Sequence, residues 1–213
     1  MQNLANTWKL RGKSVRNVTK SFLVAISLVA SVTLSRANIT NAWLYSSDNS
    51  IMSCTYSWLP SDPNNFGVAG TQYSTASALL RGYVYTDTPT DPTLNLGQNI
   101  NNDTGIAWSD YHVQISMAQS FSFTNVGVSN PGWTFSVVNP TFNGTSYVGE
   151  VNYLSGTPVA NGGLFVFNLG ISFVGSVVFT ETATPSFVPE PTTMGIGAVG
   201  GLLLLVARAR RNR

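Results

Sequence analysis

Histidine and cysteine, which often act as base or nucleophile in enzymes, occur once each in this chain, as His112 and Cys54. The alternation in "YHVQISM" places His112 on the polar face of a strand, not on a catalytic loop, and no G-x-S-x-G turn precedes a helix to present a nucleophilic serine. In "IMSCTYSW", Cys54 shares a face with Met52 and Trp58, so we expect it to be a small buried hydrophobe. Neither residue predicts nucleophilic catalysis.

Paired carboxylates would point to glycoside hydrolysis, for which two of them must face one cleft. Most acids of the chain lie in predicted loops, Glu150 lies mid-strand on a polar face, and Asp110 precedes the strand of His112. No E-x-E or E-x-D pair places two acids side by side on one strand face. We therefore predict that the protein is not an enzyme.

Calcium is the one cofactor hypothesis that the residue types support. Asp87, Asp91 and Asp103 fall in Thr86–Gly105, which is predicted to be one long loop, and carboxylate oxygens in loops suit Ca²⁺. Their spacing does not match an EF-hand, and Asp-Pro and Asn-Asp pairs are ordinary turn formers. The favoured interpretation is therefore that these aspartates form turns and bind no metal. Zinc has too few nitrogen and sulfur ligands here.

The elements that must position these residues are β-strands. In residues 38–181 apolar and polar residues alternate in short runs bounded by Gly, Pro, Asn and Ser, with no sustained period of 3.6. The clearest runs are "IMSCTYSW", "YHVQISM", "WTFSVV", "YVGEVNYL" and "ISFVGSVVFTE", and the weaker ones are Ile39–Ser46, Leu79–Thr86, Ser120–Asn125 and Leu164–Leu169. The segment "PSDPNNFGVAG" is predicted to be a loop between strands. About nine or ten strands predict an all-β fold, a single antiparallel β-sandwich of jelly-roll type. Thr182–Phe187 is expected to be a linker.

The charges are distributed unevenly along the chain. Residues 1–37 carry six basic side chains and no acid, and residues 189–213 carry four arginines and one glutamate. Residues 38–188 carry one arginine against eight acids. Because nucleic-acid binding requires clustered Lys and Arg, the acidic central part excludes a nucleic-acid partner.

The N-terminal segment has the parts of a secretory signal peptide. Basic residues from Lys9 to Lys20 precede the apolar run Phe22–Leu34, and Ser35-Arg36-Ala37 forms a small-x-small site. We predict cleavage after Ala37, which would remove residues 1–37. The competing interpretation is an uncleaved anchor helix.

The C-terminal segment has similar parts in reverse order. Residues 194–207 are apolar and Gly-rich and reach only ~21 Å as a helix, short of a ~30 Å hydrocarbon core, which suits a temporary membrane anchor. The residues that should hold its far end in the cytoplasm are Arg208, Arg210, Arg211 and Arg213. Pro189 and Pro191 keep the backbone before this helix extended, where a processing enzyme can reach it.

Val188-Pro189-Glu190-Pro191, followed by an apolar helix and an arginine cluster, resembles the PEP-CTERM sorting signal of Gram-negative bacteria. The resemblance covers residues 188–213 and no part of the sandwich. It implies recognition by an exosortase, a membrane-embedded cysteine transpeptidase-like enzyme. It also implies a precursor anchored in the inner membrane, whose upstream part then reaches the cell surface or the extracellular matrix. The competing interpretation is a plain C-terminal anchor.

Two classes of function agree with these features. The first is an exported, non-enzymatic protein of the cell surface or extracellular matrix. The second is a secreted carbohydrate-binding or glycoside-active sandwich, with an extracellular polysaccharide as partner. Solvent-facing Trp or Tyr would favour the second, because sugar platforms require exposed aromatic rings. The alternation favours the first, since it places most tryptophans on apolar faces, namely Trp43, Trp58, Trp108 and Trp133.

Overall fold

A computed structural model of the protein describes residues 37–154 and 156–187. The described residues form eleven β-strands in a two-sheet sandwich and contain no helix. In chain order the strands are β1 (Ile39–Ser46), β2 (Met52–Leu59), β3 (Asp62–Gln72), β4 (Ala78–Thr86), β5 (Thr93–Asn102), β6 (Trp108–Met117), β7 (Ser122–Val128), β8 (Thr134–Phe142), β9 (Tyr147–Leu154), β10 (Leu164–Ser172) and β11 (Val177–Phe187).

The strand order within each sheet differs from the order along the chain. The six-stranded sheet has the order β1-β4-β11-β6-β9-β8, and the five-stranded sheet has the order β2-β3-β5-β10-β7. After β3 the chain crosses to the other sheet as β4 and returns as β5, so β3 and β5 pair in parallel. The predicted β-sandwich is confirmed, but this pair departs from the prediction of a purely antiparallel fold.

The inner faces of the two sheets meet in one apolar core. Alternate residues of the central strands point inward, such as Val113 and Ile115 on β6 and Leu169 on β10, all with no exposed surface. Aromatic rings fill one region of this core, with centroid distances between 4.6 and 5.7 Å, and they belong to Trp108, Tyr111, Trp133, Tyr153, Phe165 and Phe167. Close packing of this kind gives the outer faces of both sheets a rigid support.

Two strands occupy segments that the sequence predicts to be loops. β3 lies largely within "PSDPNNFGVAG", and β5 lies within Thr86–Gly105. In β5 the core-facing residues include Leu94, Leu96 and Ile100, but the outward positions carry asparagines and a glycine, which are typical of turns. Because residues typical of turns occupy its solvent face, the sequence pattern does not predict β5, which is the central strand of its sheet.

The predicted strand "ISFVGSVVFTE" is in fact the end of β10 and the start of β11, which lie in opposite sheets. Gly175, in the turn between them, has a φ of +63°, which favours glycine. β11 continues through Thr182–Phe187, where it pairs with β6, so the predicted linker at these residues is wrong. Pairing with β4 ends at Ala183, and a strand with one free side accommodates Pro185.

Within residues 37–154 and 156–187 there is no helix of the length and apolarity that a membrane crossing requires. The predicted signal helix (22–34) and the predicted C-terminal helix (194–207) both lie outside the described residues.

Candidate functional site

The outer face of the six-stranded sheet carries four aromatic side chains on β1 and β4. Alternation sends Trp43 and Tyr45 outward on β1, and Tyr83 and Tyr85 outward on β4. The antiparallel register places Trp43 opposite Tyr83, so the four rings lie in one patch. We call these four residues the aromatic ladder.

The rings of the aromatic ladder are nearly parallel. The Trp43 ring centroid lies 5.2 Å from that of Tyr83 and 5.3 Å from that of Tyr85, with interplanar angles of 18° and 26°. The Tyr45 ring continues the stack at 6.1 Å from Tyr83 and 13°. Tyr45 and Tyr85, at the two ends, expose 43% and 45% of their surface. Because an offset stack leaves part of each ring face uncovered, the ladder presents aromatic surface to solvent.

Polar groups border the aromatic ladder at both ends. Asn41, outward on β1, lies opposite Tyr85, and Arg81, outward on β4, lies opposite Tyr45. The hydroxyl oxygens of Tyr45 and Tyr83 are 3.5 Å apart, and this hydrogen bond is the main cause that raises the pKa of Tyr45. The arrangement can hold a ligand that has an apolar face and hydroxyl groups at its edges.

The aromatic ladder corrects one expectation about the tryptophans. Trp108 and Trp133 are buried and Trp58 is half-buried against the core, as predicted. Trp43 is half-buried but lies on the solvent side of its sheet. In "NAWLY" apolar residues occupy both faces of β1, so alternation alone could not decide which face is outward.

His112 lies on the outward face of β6, as predicted, and is partly exposed. Its Nδ1 atom hydrogen-bonds Asn152 Oδ1 on β9 and lies 3.6 Å from Glu150 Oε1. Glu150 also lies on the outward face, as predicted, whereas Asp110 lies within β6 and does not precede it. The three side chains of this contact join the solvent faces of β6 and β9.

Cys54 lies on the core-facing side of β2, an edge strand, and is half-buried. Burial is the main cause that raises the pKa of its thiol. A raised pKa disfavours the thiolate, which is the nucleophilic form. The position therefore agrees with a packing role for this residue.

The three aspartates considered for calcium are not brought together. Asp87 and Asp91 precede β5 and Asp103 follows it, and a strand of ten residues at about 3.3 Å per residue separates them by about 30 Å. Asp87 instead accepts hydrogen bonds from the backbone N (2.9 Å) and the side-chain Nδ2 (3.1 Å) of Asn38. In the part of the chain that the structure describes, no three His, Cys, Asp or Glu residues are grouped as metal ligands.

Glu181 is a buried carboxyl group that the sequence analysis did not single out. It points into the core from β11 and has no exposed surface. Gln98 Nε2 donates a hydrogen bond to Oε1 at 2.7 Å, while Oε2 has no partner. Burial raises the pKa of Glu181 to about 7, against the opposing effect of the Gln98 hydrogen bond. Glu181 lies two residues after Phe179 on the same strand, and residues two apart share a face, so the alternation could have predicted that Glu181 points inward.

A cavity of about 600 Å³ lies on the outer face of the five-stranded sheet. Its polar lining includes one carboxylate, from Asp62, and four carboxamides, from Asn65, Asn95, Asn125 and Asn168. We call this cavity the asparagine trough. With one carboxylate in its lining, it lacks the acid pair of a glycoside hydrolase. The sequence analysis missed it because β3 and β5, which supply two of the asparagines, were predicted to be loops.

No known family matches this chain, and no curated protein is similar to it in sequence. Distant structural likenesses include AvmM, which catalyses macrocyclization in alchivemycin A biosynthesis, at 11% identity and a TM-score of 0.32, covering 67% of this chain and 77% of that one. TmCBM61, solved with β-1,4-galactotriose, is 8% identical at a TM-score of 0.24, covering 71% and 91%. A family 3b carbohydrate-binding module from Clostridium clariflavum is 11% identical at a TM-score of 0.25, covering 74% and 99%. Likenesses this distant carry no argument about the function of this chain.

Proposed function

We propose that residues 38–187 form a non-enzymatic carbohydrate-binding domain that adheres to a polysaccharide surface. The observation that supports this function is the aromatic ladder, four nearly parallel rings on a solvent-facing sheet. The C–H face of a sugar ring packs well on an aromatic ring, and its hydroxyl groups can bond to polar side chains at the margin. Asn41 and Arg81 supply such side chains at the two ends of the ladder.

The position of the aromatic ladder favours an extended ligand. It lies on the outer face of two paired strands, and the rings follow one another along that face. A row of rings can contact several sugar residues of a polysaccharide surface at once, whereas one short sugar would cover only part of it. We therefore assign insoluble polysaccharide as its ligand class.

Sedimentation with insoluble polysaccharide tests this function. The full chain is mixed with particles of cellulose, chitin or insoluble mannan, and the bound fraction is measured after centrifugation. We expect the wild type to bind at least one of them, and Tyr85→Ala to weaken that binding by about tenfold or more, as expected for an aromatic anchor.

The matched control for this test is Tyr73→Ala. Tyr73 is as exposed as Tyr85, at 45% of its surface, but lies outside the aromatic ladder. This variant should bind like the wild type. If the two variants bind equally well, or if the wild type sediments with none of the particles, the aromatic ladder is not a carbohydrate site.

We also propose that the domain is exported and sorted to the cell surface or extracellular matrix through an exosortase. This proposal is supported by the order of Pro189-Glu190-Pro191, an apolar segment and an arginine cluster in residues 188–213, and by the signal-like residues 1–37. Apart from Ala37, all of these lie outside the described residues. N-terminal sequencing of the exported protein should find Asn38 first, and a native N-terminus at Met1 would contradict the predicted cleavage.

A further inference from the structure

Side chains in the asparagine trough form a chain of hydrogen bonds across the five-stranded sheet. Asn125 Nδ2 donates to Asn95 Oδ1, and Asn95 Nδ2 donates to Asn65 Oδ1, each at 3.2 Å. Asn65 Nδ2 in turn donates to both carboxylate oxygens of Asp62, at 2.9 Å each. A carboxamide nitrogen carries two hydrogens, so Asn95 and Asn125 each keep a second N–H beyond these bonds. The trough therefore offers oriented polar groups with remaining hydrogen-bonding capacity.

The backbone conformation of Asn125 directs its side chain toward Asn95, the next residue in this series of hydrogen bonds. Among the described residues Asn125 is the only non-glycine residue with a positive φ, at 49°. It lies where the register of β7 against β10 shifts, between Asn168 and Gly170. Thr124 lies directly over Gly170, because a Cβ built at Gly170 would lie 2.4 Å from the Thr124 hydroxyl. The Asn125 side chain extends across β10 to Asn95. Bulges and positive φ values in non-glycine residues concentrate at functional sites.

The floor of the trough is open at Gly97. Gly97 of β5 pairs with Gly67 of β3, and nothing lies within 4 Å of the point where a Gly97 Cβ would stand, whereas the Ser57 hydroxyl lies over Gly67. The lining runs from Ser57 on β2 to Asn125 on β7 and so crosses all five strands. At about 4.8 Å between neighbouring strands, this is about 19 Å, a length that suits an extended chain.

We propose that the asparagine trough is a second carbohydrate site, which binds a single chain of a neutral polysaccharide. Carboxamides and a serine hydroxyl can exchange hydrogen bonds with sugar hydroxyls without any net charge. The only ionisable side chain of the lining is that of Asp62. Arg81, the only Lys or Arg in residues 37–187, lies on the other sheet, so an anionic chain would meet Asp62 with no cation to pair with.

The two sites lie on the outward faces of opposite sheets. One molecule can therefore hold a polysaccharide surface through the aromatic ladder and a free polysaccharide chain through the asparagine trough. Such a molecule bridges two carbohydrate components of a matrix. The proposal that the molecule bridges two carbohydrates rests on the proposed function, because it requires binding at the aromatic ladder. The proposal that the asparagine trough binds carbohydrate depends only on the contacts within the trough.

Affinity electrophoresis of the full chain tests the trough. The native gels contain a neutral soluble polysaccharide (hydroxyethyl cellulose, galactomannan or dextran) or, as the anionic probe, polygalacturonate. We expect at least one neutral polysaccharide to retard the wild type and polygalacturonate to have no effect. Gly97→Leu fills the trough from an open position, and it should weaken the retardation by about tenfold or more.

The matched control is Asn99→Leu, which places the same side chain on the same face of β5, two residues away and outside the lining. It should be retarded like the wild type, and both variants should melt near the wild-type temperature. Equal retardation of Gly97→Leu and the wild type would overturn the proposal. So would retardation by polygalacturonate alone, or by no polysaccharide at all.

A recruitment assay separates this proposal from the proposed function. Insoluble particles that bind the protein are mixed with a fluorescent form of the soluble polysaccharide. The wild type should carry fluorescence onto the particles. Gly97→Leu should sediment without fluorescence, and Tyr85→Ala should fail to sediment yet still be retarded in the gel. If Gly97→Leu carries fluorescence as the wild type does, the asparagine trough is not a carbohydrate site, and the proposed function of the aromatic ladder is unaffected. If Tyr85→Ala sediments as the wild type does, the aromatic ladder is not the site that binds the particles, and the gel result for the trough is unaffected.

Discussion

A carboxyl group in the core makes the stability of this fold depend on pH. The pKa of Glu181 is about 7 in the folded protein, above the ordinary value of 4.5 that it has in the unfolded chain. Between these values the folded state binds a proton that the unfolded state lacks, so stability falls as pH rises through this window. The difference between the two pKa values corresponds to about 3 kcal/mol of unfolding free energy.

Replacing Glu181 by Gln should remove this pH dependence while keeping a partner for Gln98. We expect the wild-type melting temperature to fall between pH 5 and pH 8, and that of Glu181→Gln to fall much less. At pH 8 the variant should be more stable by up to about 3 kcal/mol. Every other titratable group is the same in both proteins, so the difference between their two pH profiles isolates Glu181. Parallel pH profiles would contradict the prediction.

At the scale of the element, β4 carries two rings of the aromatic ladder on its outer face and packs against Phe179 at Gly82 on its inner face. Gly82 faces the core, and a Cβ built there would lie 2.1 Å from a ring atom of Phe179 on β11. The Phe179 ring thus occupies the space that a side chain at Gly82 would take. Because Phe179 is itself buried, it has little room to move aside.

Gly82→Ala should therefore lower the free energy of unfolding by about 1–3 kcal/mol, which is typical of overpacking. Gly97→Ala is the matched control on a strand of the other sheet, since its Cβ would meet no atom within 4 Å. That change should be neutral, or stabilising by up to about 1 kcal/mol through the unfolded chain. Urea denaturation measures both. Equal effects would show that the Phe179 contact does not limit this position.

The elements also show how far the sequence predicts this molecule. Alternation correctly predicts β2, β6 and β9, because each has apolar residues on one face and polar residues on the other. It does not reveal β3 or β5, whose outward asparagines and glycines are also turn formers. Those same residues build the asparagine trough, so missing the strands meant missing the site. The aromatic ladder was missed for another reason, since both faces of β1 carry apolar residues.

At the scale of the whole molecule, the predicted signal cleavage would create a new charge beside an existing one. Cleavage after Ala37 would turn the Asn38 backbone N–H into an α-ammonium group, and that nitrogen lies 2.9 Å from Asp87 Oδ1. Asn38 hydrogen bonds already hold the pKa of Asp87 below its usual value. If the predicted cleavage occurs, Asp87 is positioned to pair with the new N-terminus at Asn38.

Asp87→Asn should therefore lower the melting temperature more in a chain that begins at Asn38 than in the full chain. The full chain loses only a neutral donor's interaction with the carboxylate, whereas the shorter chain loses an ion pair. Thermal melting of the two chains, each with and without the substitution, measures the coupling. If Asp87→Asn has the same effect in both chains, the mature N-terminus does not use this carboxylate.

If the proposed sorting through an exosortase is right, the C-terminal segment determines where the bridging domain acts, and we expect its parts to have separable roles. Under the proposed sorting, Pro189 and Pro191 would keep the processing segment out of helix, and the arginines of residues 208–213 would hold the far end in the cytoplasm. Replacing Pro189, Glu190 and Pro191 by Ala should leave membrane insertion intact and abolish processing, so that full-length protein accumulates in the membrane. Replacing the arginines should instead let unprocessed protein enter the periplasm. Immunoblots of membrane, periplasm and medium, in a host with its exosortase, distinguish these outcomes. Release of the triple-alanine variant at the wild-type level would mean that the segment is a plain anchor and that another route delivers the domain.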